Sequence, residues 1–472
     1  MSIAAPSPFA AVVIGGGISG LACAYHLQQA GVPARVLEAG VRPGGLIATK
    51  EKDGFQFELG PQSFLSTEPL LQLIESLGLK EQLLHADHRA PRYILCGGKL
   101  MRAPLAPQSL LTTPLLGAAT KWRIFTELSR HTIPPEGDES VAAFVRRKFG
   151  DELLEKLVAP FVSGVYAGDP EKLSLRASFP KLYEFEKEYG SVMKGAMKSR
   201  PAKGTPRAGL CSFRGGMETL PRAIAGRLEN MLLAESSVAA LRRGKANGKP
   251  WFEIEFTRQN HRETIAASAV IVATPTDAAG EMLKNLSDRF PAAFARIQYA
   301  PVAVVSAGYR REQIQHPASG FGFLVPRSEK LRVLGTVWNS SLFPGRCPDG
   351  KVSFTSFAGG ATDPGLLALR DDEIVELICG EVARVLGISG APAIARLQRY
   401  ARALPQYNLG HTATVTALGG LTSSIPGLFL AGNYLSGPSI GSCVEQANQT
   451  ADAARVYLAS IGATGAGSVA HA

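Results

Sequence analysis

Three glycines, Gly15-x-Gly17-x-x-Gly20, follow the apolar run Ala11-Val12-Val13-Ile14 and open the helical stretch Leu21-Ala22-Cys23-Ala24-Tyr25-His26-Leu27. Glycines at this spacing suit one chemical task, bringing a pyrophosphate against backbone N–H groups. Gly15 allows a tight turn out of a strand, Gly17 lets the pyrophosphate reach the backbone, and Gly20 lets helix and strand pack closely. Gly16, Ile18 and Ser19 complete the turn, and the helix N-terminus adds free N–H groups and a positive dipole. Eighteen residues past Gly20, Glu38 closes a second apolar run, Ala34-Arg35-Val36-Leu37. Its carboxylate is placed to accept hydrogen bonds from a ribose. Strand before, helix after and acid at this distance favour a dinucleotide site over a glycine-rich turn in an ordinary βαβ unit.

The residues after Glu38 narrow the ligand. Glu38-Ala39-Gly40-Val41-Arg42-Pro43-Gly44-Gly45 reads E-x-x-x-R-x-G-G. Arg42 can counter pyrophosphate charge, and Gly44-Gly45 lets the chain pass close to a cofactor. An ordinary NAD dehydrogenase has no need of this second element. It resembles the FAD fingerprint of the superfamily of amine oxidases, phytoene desaturases and protoporphyrinogen oxidases.

The elements that must position these residues recur along the chain. After the βαβ start come a loop at Lys50–Phe57, the strand-like run Phe55–Leu59 ending in a Gly60-Pro61 turn, and a helix around Glu68–Leu77. Residues from about Ala90 to Thr205 are basic and read as largely helical. There Leu105, Leu110, Leu111, Leu115, Leu116, Trp122 and Phe125 lie near Arg102, Lys121, Arg123 and Arg130, a mixture that suits a helix in a lipid interface. Packing of the same side chains into a helical core is the competing reading. A helix at Glu218–Leu228, a strand at Trp251–Phe256 and a buried strand at Ala269–Thr274 return to the nucleotide fold. Strands at Val302–Ala307, Phe321–Val325, Val333–Val337 and Val352–Phe357, with one helix at Asp371–Leu386, predict an antiparallel wall. Finally Leu428–Ala431, a glycine turn and a helix near Ile440 place a positive helix end where a flavin N1–C2=O edge collects charge.

The fold expected is α/β with α+β character. A discontinuous Rossmann-like FAD domain takes residues 1–89, 206–290 and 422–472. A helical, membrane-associating insertion takes 90–205, and a mixed-sheet substrate domain takes 291–421. At 472 residues and 45% hydrophobic content the chain can build such cores. The net charge of +10 suits an anionic membrane surface or a carboxylate-bearing substrate. No Lys/Arg run or nucleic-acid motif is present, so nucleic acid is not expected as a partner. Six scattered cysteines without a C-x-x-C pair form a reduced-compartment pattern. The histidines form no metal-ligand set, so no metal is expected. Met1–Pro8 lacks the features of a signal peptide, and no stretch reads as a spanning helix.

From Gly15 to the C-terminus the chain resembles the oxygen-dependent protoporphyrinogen oxidase family. The specific segments are Phe161-Val162-Ser163-Gly164-Val165-Tyr166-Ala167-Gly168-Asp169-Pro170, Gly320–Pro326, Leu404–His411 and Ala431-Gly432-Asn433-Tyr434. The resemblance implies removal of six hydrogens from protoporphyrinogen IX in three two-electron steps. FAD, held non-covalently, takes the hydrides, and dioxygen reoxidises it to give hydrogen peroxide. Coproporphyrinogen III, with four propionates instead of two, is the alternative substrate; a different flavin amine oxidase-type dehydrogenase is a further one. Because the cofactor carries the chemistry, no catalytic acid or base is assigned.

By resemblance Arg92 binds a propionate, and its planar fork suits a carboxylate. Phe321, Leu324 and Phe357 sandwich the macrocycle, although each also reads as ordinary strand core. Cofactor contacts carry over to Gly15–Gly20, Glu38, Ala39, Leu46, Gly60, Pro61, Gln62, Ser63, Val238, Pro438, Ser439 and Ile440, with Arg42 and Gly45 from the second fingerprint. Val238 meets the adenine through its backbone, and Leu46 and Asn433–Leu435 lie near the flavin. The expected setting is cytoplasmic, peripheral on the inner face of the cell membrane, as a homodimer. Pathway logic names ferrochelatase as a partner.

Overall fold

The computed structural model describes residues 9–199, 209–246 and 249–463. Its first seven-stranded sheet runs Leu232–Leu233, Ala34–Leu37, Phe9–Ile14, His261–Val272, Lys249–Arg258, Ser236–Ala246, with Leu428–Leu430 on the far side of His261–Val272. The four pairings nearest the glycine turn are parallel. Parallel strands are covered on both faces, which explains the unbroken apolar run: Ala11, Val12 and Val13 are fully buried and Ile14 nearly so. Helices Ile18–Gln29 and Ile440–Ser460 join one core with Leu220, Ile224 and Leu228. The opposite face packs against Ala279, Phe290, Phe294 and Leu418. Strands from three separated stretches of sequence thus share one sheet.

The second seven-stranded sheet runs Ile394–Pro405, Tyr299–Arg310, Lys351–Gly359, Val333–Val337, Gly322–Leu324, Arg92–Cys96, Lys99–Arg102. Helix Asp371–Leu386 covers one face through Ile374, Ile378, Val382 and Leu386. Three acids in its first turn complement the helix dipole, and Gly387 (φ 62°) ends it in the left-handed region.

This sheet is mixed, as expected of the substrate domain: the four anticipated strands pair antiparallel, and Gly322–Leu324 also pairs in parallel with Arg92–Ile94. Two other expectations need correction. The stretch expected to be helical begins with the hairpin Arg92–Cys96/Lys99–Arg102, and helices start only at Pro107. Tyr93-Ile94-Leu95 is a short apolar run, for which periodicity does not separate strand from helix. Lys50–Phe57 forms a hairpin (Thr49–Lys52/Phe55–Glu58) rather than a loop. Its turn, Asp53-Gly54, has φ 52° and 76°, the positive pair that a two-residue hairpin favours.

The helical region divides the apolar residues in question. Leu115 and Leu116 are buried in its core with Ile124, Phe144 and Leu154, whereas Leu105, Leu111, Trp122 and Phe125 are 58%, 39%, 65% and 56% exposed. The core also encloses Lys148, which is paired with Glu127 (3.3 Å) and Glu186 (3.0 Å). Among the described residues no helix is long and apolar enough to cross a membrane.

Candidate active site

The first strand delivers the chain into a turn that only glycine permits at two points. Gly15 has φ 106°, and an added Cβ would meet the Ala273 carbonyl oxygen at 2.6 Å. A Cβ at Gly20 would overlap the Gly15 carbonyl. Gly17 differs from both: it is the N-cap of helix Ile18–Gln29, its φ is −70°, and a Cβ there would meet nothing within 4 Å. A glycine required by neither backbone nor neighbours leaves space for a ligand. The turn therefore fits a dinucleotide pyrophosphate. Ile18 and Ser19 start the helix, with Ser19 buried.

Glu38 accepts from the Gly16 N–H (2.6 Å) and the Gly40 N–H (2.7 Å). Carboxylate oxygens have about four acceptor sites in all, so capacity for a ribose hydroxyl remains. Ala39 is exposed beside it. The Ser236 and Glu235 N–H groups donate to the carbonyls of Glu38 and Gly40 (2.8 and 3.0 Å). These bonds bring the strand carrying Val238 alongside the acid, and its pairing shifts register immediately after Val238.

Arg42 donates to the carbonyls of Pro43 (3.2 Å), Ile47 (3.0 Å) and Gly45 (3.0 Å). It therefore braces its own loop and adds positive charge there. The loop lies across the glycine turn: Gly44 N–H donates to the Gly16 carbonyl at 2.7 Å, and a Cβ at Gly45 would sit 3.3 Å from the Gly17 Cα. Leu46 is 36% exposed, and its carbonyl lies so close to Gly60 that no Cβ fits. The turn Gly60, Pro61, Gln62, Ser63 thus continues the lining. Pro438 and Ser439 precede helix Ile440–Ser460; Ser439 caps it by accepting from the Ser442 N–H at 3.0 Å. Gly441 abuts Thr67, just beyond Ser63.

The second sheet carries the remaining candidates. Leu324 stands opposite Gly335, and Gly335 opposite Phe357. Directly opposed residues share a face, so Leu324, Gly335 and Phe357 form one row, and Leu324 Cδ2 lies over Gly335, where an added Cβ would meet it at 2.9 Å. Strand alternation puts Arg92, opposite Gly322, on that face two residues along. Among the described residues Arg92 has no carboxylate partner; its guanidinium lies 5.0 Å from the centroid of the Phe321 ring. Phe321, Leu324 and Phe357 are all partly exposed, with Phe357 and Phe321 also packed against buried clusters.

Residue-level reading missed the opposite wall. In helix Ala159–Tyr166, Gly164 faces Leu324 so closely that a Cβ would overlap its Cδ2. Phe161 and Val165, three residues before and one after, are 46% and 45% exposed. The helix is preceded by a π-helical stretch, Leu154–Val158, a feature frequent at functional sites. The small and apolar run Phe161-Val162-Ser163-Gly164-Val165 was its only signal.

The hairpin's second strand ends in a buried carboxyl. Glu58 accepts from the Thr49 hydroxyl (2.7 Å) and the Met217 N–H (3.0 Å) and sits 3.7 Å from Arg346. Burial pushes its carboxyl up to about 7, against the pull of Thr49, Arg346 and Met217.

The model of the flavin containing amine oxidoreductase family matches residues 18–455. Protoporphyrinogen oxidase 1, chloroplastic, of Arabidopsis thaliana is 36% identical over 468 residues, 93% of this chain and 87% of that one. Coproporphyrinogen III oxidase of Bacillus subtilis (strain 168) is 30% identical over 469 residues, 95% of this chain and 98% of that one. A solved structure from Exiguobacterium sp. 255-15 matches with a TM-score of 0.80 and 25% identity, over 97% of this chain and all of that one.

Proposed function

This chain belongs to the flavin containing amine oxidoreductase family, and from that premise we propose that it oxidises protoporphyrinogen IX to protoporphyrin IX. It is an oxidoreductase and its cofactor is FAD. Bound non-covalently, FAD supplies the two-electron acceptor for each of three steps, with dioxygen as final acceptor and hydrogen peroxide as product. The chain's own residues bind and orient.

The observation that carries the reading is the wall itself. An arginine that has no carboxylate partner among the described residues shares one face with an apolar row, and Gly164 packs directly against Leu324 in that row. Such a surface suits a broad, largely apolar molecule bearing a peripheral carboxylate. The experiment is aerobic turnover of the purified protein on protoporphyrinogen IX and coproporphyrinogen III side by side, following porphyrin fluorescence and peroxide. Preference for the first supports the proposal. Preference for the second moves the enzyme to the tetracarboxylate substrate, and turnover of neither sinks the function.

A peripheral membrane position belongs to the same proposal. Leu105, Leu111, Trp122 and Phe125 are exposed within a stretch that also carries Arg102, Lys121, Arg123 and Arg130, a combination suited to an anionic lipid interface. Co-sedimentation with anionic vesicles, lost in Trp122→Asp/Phe125→Asp, tests it; sedimentation unchanged by the double substitution would refute it.

A further inference from the structure

We infer that Asn339 is a positioning residue that ties the flavin-facing turn to the substrate wall and so sets the gap across which oxidation occurs. The inference rests on the resemblance that makes Gly60–Ser63 cofactor contacts, and takes that turn to face the flavin ring.

Gln62 is 7% exposed and its amide is fully committed. Its Nε2 donates to the carbonyls of Gly60 (2.8 Å) and Glu58 (3.2 Å), which holds the turn's backbone. Its Oε1 accepts from Asn339 Nδ2 at 2.6 Å. Asn339 is 3% exposed and lies 277 residues further along the chain. It follows Trp338, which is fully buried, at the end of wall strand Val333–Val337.

The residues after Asn339 extend the tie. Ser340 accepts from the Ser353 N–H (3.0 Å), in the strand that carries Phe357. Ser341 accepts from the Gly320 N–H (2.8 Å), and the Trp338 N–H donates to the Phe321 carbonyl (2.9 Å). Phe321 in turn lies under Arg92. Three consecutive side chains therefore hold the turn, the Phe357 strand and the Arg92–Phe321 edge to a single helical turn, Asn339–Leu342.

The economy of this arrangement points to position rather than stability. Among the described residues Asn339 Oδ1 is buried without a hydrogen-bond partner, and an unmade buried bond is costly. A leucine of similar size would remove that orphan only by leaving the buried Gln62 Oε1 without its donor. The amide is retained where only its N–H₂ end is used, and that end reaches the flavin-facing turn. Rate falls steeply when reacting groups shift by an ångström or less, so a residue fixing this gap acts on the reaction without touching substrate.

The test uses FAD-loaded Asn339→Leu, Gln62→Met and the double variant. Each is assayed for visible flavin spectrum, flavin reduction potential by dye equilibration, and anaerobic bleaching by protoporphyrinogen IX. We expect FAD to be retained, spectrum and potential to shift, and bleaching to slow roughly tenfold or more in each single variant. The double variant should be no slower than the worse single one, because both break the same link. If Gln62→Met moves the flavin signature and Asn339→Leu leaves signature and rate unchanged, the tie is refuted. If Gln62→Met itself leaves the signature unmoved, the placement of the turn has failed and the inference falls with it. Should wild-type flavin not bleach with porphyrinogen, the substrate assignment fails while the spectral and potential shifts still judge the tie. Asn339→Ala serves the same readouts if the leucine variant does not fold.

Discussion

Gly17→Ala separates a glycine kept for the fold from one kept for the ligand. Gly17 has φ −70° and ψ 174°, ordinary extended values, and its Cβ would point into open space. Alanine is a poorer N-cap than glycine, costing roughly 0.5–1 kcal/mol. Reduced freedom of the unfolded chain returns about 0.4–1 kcal/mol, so the apoprotein should keep its stability within about 1 kcal/mol. The ligand should not fare so well. A Cβ moves the pyrophosphate off the helix N-terminus, and hydrogen bonds to a charged group are each worth about 1.5–3 kcal/mol. Loss of two weakens FAD binding by about 3–6 kcal/mol, a rise in Kd of roughly 10²- to 10⁴-fold. The assay is FAD titration of apoprotein by flavin fluorescence, beside denaturant unfolding of the same apoprotein. Gly20→Ala is the contrast, since its Cβ would overlap the Gly15 carbonyl and must damage the turn itself. A Gly17→Ala protein that holds FAD with wild-type affinity would refute the placement of the pyrophosphate. One whose apoprotein is as damaged as Gly20→Ala would refute the claim of free space.

Arg92→Ala should raise KM about tenfold or more while kcat changes less, from loss of one charge-assisted contact; an unchanged KM removes Arg92 from the site. Gly164→Ala should push Leu324 aside and lower kcat/KM with FAD content intact, and equal kcat/KM would mean the helix does not line the cleft. Glu58 is raised from 4.5 to about 7, so the folded protein holds its proton more tightly than the unfolded chain does. Its contribution is stabilising below pH 4.5 and is lost as pH rises through about 7, by about 3 kcal/mol in all. Glu58→Gln should flatten that fall, as measured by denaturation at pH 5 and pH 7.5; parallel slopes for wild type and variant would contradict the burial argument.

How much of this was legible depended on how local the signal was. Gly15, Gly17, Gly20 and Glu38 announce a turn and an acid because each acts within one βαβ unit. The hairpin at Asp53-Gly54 was equally local and was overlooked in favour of a loop, though its turn residues carried the signal. The approach of Gly45 to Gly17 was implied only as a need for small residues. The parallel pairing of Arg92 with Gly322 spans 230 residues, and no periodicity encodes a partner at that range. Nor does composition separate Leu115, which is buried, from Trp122, which is exposed; both read as apolar residues in a basic helical stretch. Helix Ala159–Tyr166 showed the same limit, since facing Leu324 is a property of the tertiary structure alone.

The position of His261–Val272 between Phe9–Ile14 and Leu428–Leu430 has a consequence for biosynthesis. Phe9–Ile14 is made well before the strand that covers one of its edges, which follows roughly 250 residues later, about 10–50 s at ~5–20 residues per second. Throughout that interval a wholly apolar edge has no partner and invites pairing with other chains. Helix Ile440–Ser460, which packs on Ile18–Gln29, is made later still. The nucleotide fold therefore closes only after Ile440–Ser460 is made, so flavin capture waits for that helix, and a chaperone that shields the first strand should raise the yield of loaded enzyme.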